Sequence, residues 1–265
     1  MTGYFAGIDI GSISTEAVIV DQGGKILGCA IELTGAESSK ALQRALGRSL
    51  EQAGIGQEHV SQTVSTGYGR ERAPSDWKIT EITCHGRGVY EIFPQVRTIL
   101  DIGGQDSKAI RLDQTGRVIN FQMNDKCAAG TGRFLEVMVR ALEVEVSEMG
   151  SLEKQSQKPL RVSSVCTVFT ESEIVGLLAR GEKREDIIKA VHNSVAERVF
   201  GLLSRVGIEP EISLSGGVAK NIGIVRALSE KIGLKLLVPE EPQIMGAYGA
   251  ALIAREKGSG KNRGS

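Results

Sequence analysis

One segment of the chain occurs twice. Asp9-Ile10-Gly11-Ser12-Ile13-Ser14-Thr15-Glu16-Ala17-Val18-Ile19-Val20-Asp21 aligns without gaps on Asp101-Ile102-Gly103-Gly104-Gln105-Asp106-Ser107-Lys108-Ala109-Ile110-Arg111-Leu112-Asp113, at a constant offset of 92 residues and with 5 of 13 positions identical. Thr15/Ser107, Val18/Ile110 and Val20/Leu112 are near-equivalent. Each copy reads as an apolar strand, an Asp-x-Gly turn and a second apolar strand, a hairpin with a carboxylate at the end of its first strand. A duplication on this scale predicts two α/β halves rather than one continuous sheet.

The rest of the chain fits that division. In the first half Gly23-Gly24 turns the second strand into a third, Lys25 to Leu33. A helix follows from Ser38 to Ala53, with Leu42, Leu46 and Leu50 on one face. Val60 to Thr66 reads as a strand ending in Gly67-Tyr68-Gly69. In the second half strands are expected at 97–101, 107–112 and 118–123, and helices at 128–142, 171–180 and 185–206. The last helix carries Ile188, Val191, Val195, Val199 and Leu202 on one face. A strand at 211–215 meets Gly216-Gly217, a helix runs on to Lys231, and Gln243 to Glu256 closes the domain. This gives an N-terminal half over 1–95, a C-terminal half over 96–256, and a Gly/Ser/basic tail over 257–265 that is expected to fray.

Charge narrows the function classes. Lys+Arg and Asp+Glu each number 32, a net charge of zero, whereas nucleic-acid and anionic-membrane binders carry a basic excess. The longest uncharged stretch near the C-terminus, Pro242 to Ala254, has 13 residues, short of a membrane span. The opening MTGYFAGIDIG has no basic n-region, so no signal peptide is expected and the reading is soluble and cytoplasmic. Glycine, at 33 of 265 residues, is about twice its usual share, which suggests tight turns and backbone brought close to a ligand. Cys29, Cys84, Cys127 and Cys166 are too sparse for a disulfide scaffold and read as thiols or ligands.

A glycine-rich turn presents backbone N–H groups in a concave nest, and the hydroxyls of Ser12, Ser14 and Thr15 add donors for phosphate oxygens. A carboxylate at the strand end, Asp9 or Asp101, can hold Mg²⁺ through water. Neither hairpin fits the P-loop or dinucleotide patterns. Two copies, with Ser215-Gly216-Gly217 after a buried strand, resemble the actin/hexokinase superfamily of nucleotide-clamping ATPases. That resemblance implies a duplicated actin-like (ribonuclease H-like) ATPase fold with the nucleotide cleft between its domains. By position, Gly11, Ser12, Ser14 and Thr15 match the first phosphate loop, and Gly103, Gly104 and Gln105 the second. Gly216, Gly217 and Asn221 match the adenosine loop, and Gln243 completes the nucleotide-binding set. Glu16 stands where many relatives carry Lys; it is expected to point into solvent, with Lys108 at the duplicated position as a compensating charge.

Cys127 and Cys166 each lie just ahead of an expected helix, whose partial positive charge favours a thiolate or an anionic cluster. Their separation of 39 residues is no metal-ligand pattern, and spacing alone reads them as small buried hydrophobes. Cys29 and Cys84 read as structural. His59, His85 and His192 have no second ligand at suitable spacing and read as ordinary surface or core histidines. Tyr68 reads as turn packing, and Glu171 and Glu173 as carboxylates favoured in a helix's first turn.

The segments Asn124–Phe134 and Val165–Glu173, with Asp101–Lys108 and Thr-Gly-Tyr-Gly-Arg at 66–70, closely resemble the ATP-dependent activators of 2-hydroxyacyl-CoA dehydratases. Relatives of these activators are the ATPase subunits of benzoyl-CoA reductase and the reductases of double-cubane-cluster proteins. The resemblance runs over residues 4–256. It implies an ATP-hydrolysing electron donor in which Cys127 and Cys166, from both chains of a homodimer, ligate one 4Fe-4S cluster. It further implies reduction by a ferredoxin or flavodoxin, transfer of a low-potential electron to a partner dehydratase or reductase, and Mg²⁺–ATP held with Asp9 and Asp101. Gln105 is expected to orient the attacking water, by analogy with glutamines of other NTPases. The alternatives are a sugar kinase of the same superfamily, which has no use for paired cysteines, and a filament-forming scaffold, for which the chain has little room.

Overall fold

The computed structural model describes residues 3–261. The chain forms two compact units, one built from residues up to 96 with 112–119 and the segment from 243 onward, the other from 97–111 and 120–242. Residues 243–256, expected in the C-terminal half, thus belong to the compact unit of the N-terminal half. The expected tail is helical as far as Lys261, and 262–265 lie outside the described residues.

The first unit is a five-stranded sheet in the order β3-β2-β1-β4-β5, with β1 at Tyr4–Ile10, β2 at Ser14–Val20, β3 at Ile26–Leu33, β4 at Val60–Thr66 and β5 at Trp77–Lys78. β1 runs antiparallel to β2 and parallel to β4. Helix α1, Ser38–Ala53, brings Leu50 against Ala6 and Ile19 on one face. The next residue along β1, Gly7, sits directly on the backbone of helix α8, Met245–Lys261, on the other face. Both faces are covered, which is why β1 and β2 read as continuous apolar runs rather than as alternating strands. Helix α2, Glu81–Ile92, which is not among the elements expected from the sequence, packs beside α8.

The second unit repeats the plan. Its sheet has the order β8-β7-β6-β9, with β6 at Thr98–Ile102, β7 at Ser107–Leu112, β8 at Val118–Asn124 and β9 at Ile212–Ser215. Helices α3 (Gly132–Leu142), α4 (Val146–Leu152), α5 (Thr167–Ala179), α6 (Arg184–Val206) and α7 (Ile222–Ile232) complete it. One core joins Leu100, Ile102 and Ala109 of the sheet to Phe134 and Met138 of α3, Ile224 and Leu228 of α7, and the apolar stripe of α6.

The duplication holds residue for residue. Asp9 pairs with Glu16 and Ile10 with Thr15, while Asp101 pairs with Lys108 and Ile102 with Ser107, each at the same offset. The turn bonds match as well: Gly11 N–H donates to Ser14 O at 3.0 Å, and Gly103 N–H to Asp106 O at 3.0 Å. The parallel neighbours extend the equivalence, since Asp9 lies beside Thr66 and Asp101 beside Ser215. Two helix starts differ from expectation. α3 begins at Gly132 rather than at residue 128, because Gly130 takes a left-handed φ of +83° that no helix accommodates. α5 begins at Thr167 rather than at residue 171, with Cys166 itself as its N-cap.

Candidate functional site

In the first unit the strand-end carboxylate Asp9 is buried, and its Oδ2 lies 3.7 Å from His85 Nε2 of α2. Ser12, at the tip of the turn, is exposed, and Gly11 and Ser14 are partly so. Ser14 Oγ accepts from Gln243 Nε2 at 3.0 Å. Thr15 is fully buried and its hydroxyl is 2.9 Å from that of Thr34, which in turn donates to Gly11 O at 2.8 Å. Thr15 therefore braces the turn from behind, while Ser12 forms its outer edge.

Glu16, expected in solvent, is buried at 4 % exposure, and its Oε1 accepts from Gln243 Nε2 at 3.1 Å. The reason is the strand: β2 lies inside the sheet with helices over both faces, so a residue registered opposite buried Asp9 is carried inward with it. The two carboxylates are cross-strand neighbours, an arrangement that disfavours itself unless positive charge lies close by.

The second unit answers the same position differently. Asp101, 2 % exposed, accepts from Ser215 Oγ at 2.8 Å and lies 3.4 Å from Lys108 Nζ. Lys108 also reaches Asp106 Oδ1 at 2.8 Å. Its ammonium thus serves the carboxylates of its own hairpin. Gln105 is exposed at the tip, with Gly103 and Gly104 beside it. The carbonyls of Gly103 and Gly104 accept from the first amides of α3, Gly132 N–H at 2.9 Å and Arg133 N–H at 2.8 Å.

Gly67 and Gly216, which follow Thr66 and Ser215, share positive φ values of +82° and +86°. Each packs against the carbonyl of an equivalent residue, Ile10 or Ile102. The Gly67 turn is thus the counterpart of the Gly216 turn, a likeness that their flanking sequences do not advertise. Asn221 is the N-cap of α7: its Oδ1 accepts from Gly223 N–H at 2.9 Å, and its Nδ2 lies 3.2 Å from His192 Nε2. Because that Oδ1 is the acceptor, Nδ2 must donate, so His192 Nε2 carries no proton and its Nδ1–H faces Glu153. Burial works to raise the Glu153 carboxyl, but the bond from His192 and the charges of Arg226 and Lys189 hold it below the usual carboxylate range. His192 is a core histidine with a defined job in the Asn221 loop.

Cys127 and Cys166, far apart in sequence, are brought together. Cys127 Sγ lies 3.9 Å from the carbonyl oxygen of Val165, the residue before Cys166. Asn124 Nδ2 donates to Cys127 O at 2.8 Å and to Ala129 O at 3.3 Å, shaping the segment between β8 and α3. Both thiols are half-buried; Val165, Val168 and Phe169, which flank Cys166 in the chain, are exposed, and the Thr167 hydroxyl is buried without a partner among the described residues. The helix-terminus setting expected for both cysteines holds for Cys166 alone. Cys127 precedes α3 by an irregular turn, and that helix's first amides are taken by Gly103 and Gly104. Cys84 is buried in α2, and desolvation pushes its thiol up to about 12, as befits a structural cysteine. Among the described residues no group of three or more His, Cys, Asp or Glu side chains could hold a metal ion, and no helix is long and apolar enough to cross a membrane.

Two sheets that share the strand order β3-β2-β1-β4 and β8-β7-β6-β9, each with an Asp-bearing hairpin, define a duplicated actin-like ATPase. The chain belongs to the BadF/BadG/BcrA/BcrD ATPase family, whose model matches residues 6–254. It is 50% identical over 254 residues to the activator of lactoyl-CoA dehydratase of Anaerotignum propionicum, covering 96% of this chain and 98% of that protein. The solved activator of the 2-hydroxyisocaproyl-CoA dehydratase from Clostridium difficile, with bound ADPNP, superposes with a TM-score of 0.94 at 44% identity, covering 99% of this chain and 98% of the other. A ROK family glucokinase from Streptomyces griseus, in complex with glucose and AMPPNP, covers 96% of this chain and all of its own at a TM-score of 0.59 and 14% identity, which shows the fold alone. The sugar-kinase alternative is not favoured.

Proposed function

We propose that the chain is an ATP-hydrolysing activator that passes a low-potential electron to a partner 2-hydroxyacyl-CoA dehydratase or a related reductase. The observation that carries this reading is the joint between the second hairpin and the cysteine segment. Gly103 and Gly104, offered to phosphate on one side of their turn, hold the first amides of α3 on the other, and the lead-in to that helix carries Cys127. A change in the hairpin on nucleotide turnover is therefore transmitted through hydrogen bonds to a thiol, without crossing a flexible linker.

In this reading the outward amides around Gly11 and Gly103, with the hydroxyls of Ser12 and Ser14, bind phosphate oxygens, each unit offering a turn of the same construction. Asp9 and Asp101 would hold Mg²⁺ through water, and exposed Gln105 orients the attacking water. Gly216, Gly217 and Asn221 form the adenosine loop, stiffened by His192, and Gln243 fixes the Ser14 edge.

The thiols suit an iron–sulfur cluster: they are paired, half-buried and rimmed by apolar side chains, with the unpartnered Thr167 hydroxyl next to Cys166. A 4Fe-4S cluster takes four thiolates, so Cys127 and Cys166 of two chains complete the set as a homodimer. Bound there, the cluster supplies one-electron transfer, loaded by a ferredoxin or flavodoxin. Lowering its potential by several hundred millivolts requires about 10 kcal/mol at about 59 mV per 1.4 kcal/mol, the order that ATP turnover at both subunits provides.

Anaerobic purification tests the reading. The wild-type chain is expected as a brown dimer with iron and sulfide, and Cys166→Ala as colourless, mostly monomeric protein. A brown dimer from Cys166→Ala overturns the ligand assignment.

A further inference from the structure

We propose that Glu173, a residue with no assigned part in the reaction, is the positioning residue for Cys166. The inference rests on reading Cys127 and Cys166 as a ligand pair.

Residues 156–166, which deliver Cys166 to the head of α5, have no regular secondary structure and so no ladder of backbone hydrogen bonds to place them. Their far end is tied to α6, where buried Asp186 Oδ1 accepts from Ser156 Oγ at 2.9 Å and from the amides of Gln157 and Lys158 at 2.7 and 2.8 Å. Their near end is tied to α5. Ser163 N–H donates to Glu173 Oε2 at 2.8 Å, and the single Thr170 Oγ1 proton is shared between Ser163 O and Cys166 O, each 2.9 Å away. Val165 N–H closes the turn onto Ser163 Oγ at 3.3 Å. The Val165 carbonyl is the group that Cys127 Sγ approaches, so the relative placement of the two sulfurs depends on this turn.

Glu173 is the charged member of the clamp. A carboxylate accepting a backbone amide is a stronger tie than a neutral pair and cannot rotate away without leaving that amide unpaired. Helix capping does not account for the residue: α5 starts at Thr167, so Glu173 sits in its second turn, beyond the reach of the helix's N-terminal charge. Thr170, fully buried, holds the two carbonyls while Glu173 holds the amide. Together they fix both polar sides of the hook that presents the thiol.

The test uses full-length, reduced protein stripped of metal by chelator, so that its readout does not depend on a bound cluster. Iodoacetamide labelling of each cysteine is followed by peptide mass spectrometry, with circular dichroism as the check on folding. Glu173→Leu is expected to raise the Cys166 labelling rate about tenfold, the scale of one lost charge-assisted bond. Glu173→Gln, which keeps an acceptor, is expected to stay within about twofold of wild type, and Cys84 to be unchanged in both. A folded Glu173→Leu protein with an unchanged Cys166 rate overturns the proposal.

If that variant does not fold, hydrogen exchange on the wild-type chain decides. The Ser163 amide is expected to be protected at least about a hundredfold despite its irregular segment, and an unprotected amide also overturns the clamp. Iron and sulfide of the wild-type dimer are assayed separately. A raised Cys166 rate in Glu173→Leu with a wild-type chain that takes up no iron supports the clamp while removing the cluster reading.

Discussion

The hairpins β1–β2 and β6–β7 share strand register, turn bond and parallel neighbour, yet they treat the residue opposite the strand-end aspartate in opposite ways. In the first, Asp9 faces Glu16, and both carboxylates are buried near Gln243 and His85. In the second, Asp101 faces Lys108 and is held by Ser215. What the two have kept is backbone: the pairing, the Gly turn and the left-handed glycine at the end of the neighbouring parallel strand. What they have changed is charge. The second hairpin sets an ammonium opposite its aspartate, whereas the first sets a second carboxylate there. The duplicated scaffold therefore builds the same turn twice while changing the charge set opposite its aspartate.

The largest expected effect tests that difference directly. Lys108→Met removes the ammonium 3.4 Å from buried Asp101 and should cost about 3–5 kcal/mol of stability, measured by urea unfolding. Glu16→Gln at the equivalent position removes a like charge and keeps an acceptor for Gln243, so it should change stability by less than about 1 kcal/mol. Equal losses from the two changes would break the comparison.

Asp101→Asn should come next, lowering steady-state ATP turnover by about 100-fold while iron content stays at the wild-type level. Retained ATP-coupled reduction of a partner would count against the role given to that carboxylate.

A smaller effect is expected behind the first turn. Thr34→Val removes the bonds to Thr15 and Gly11 and should cost about 1 kcal/mol, read as a lowered thermal midpoint.

The subtlest outcome concerns acid. The amide of Lys158, with those of Gln157 and the Ser156 hydroxyl, lowers the Asp186 carboxyl below the usual aspartate range, outweighing the burial that opposes it. A depressed carboxyl adds stability that is complete above its unfolded value, about pH 4, and disappears as pH falls through the lower folded value. Asp186→Asn should therefore flatten the loss of stability below about pH 4 and leave the slope near neutrality unchanged. An unaltered acid limb would show that Asp186 does not anchor the Cys166 segment in solution.

Much of this was legible in one dimension. The offset of 92 residues announced both hairpins, and the register confirms it pair by pair, because the same short glycine turn sets the pairing of each hairpin. The glycine turns and Asn221 could be picked out by type. Other features could not. Glu16 looked like a surface charge, since nothing local says that β2 will be covered on both faces. α3 was expected too early, because the sequence does not show that Gly130 will take a left-handed φ. Glu173 looked like a first-turn carboxylate, because the helix's true start at Thr167 depends on Cys166 serving as its cap. The equivalence of Gly67 and Gly216 was hidden for another reason: it lies in parallel strand neighbours contributed from distant parts of the chain.

The amino-acid order alone thus determined the repeated hairpin and the glycine-rich turn at its end, since periodicity and turn chemistry are local properties. Only the tertiary structure decided which charges are buried together, that Cys127 meets the carbonyl before Cys166, and that the Gly103–Gly104 turn grips the helix leading from Cys127. Those outcomes depend on contacts between residues far apart in the chain, where packing and the need to satisfy buried polar groups override any local preference.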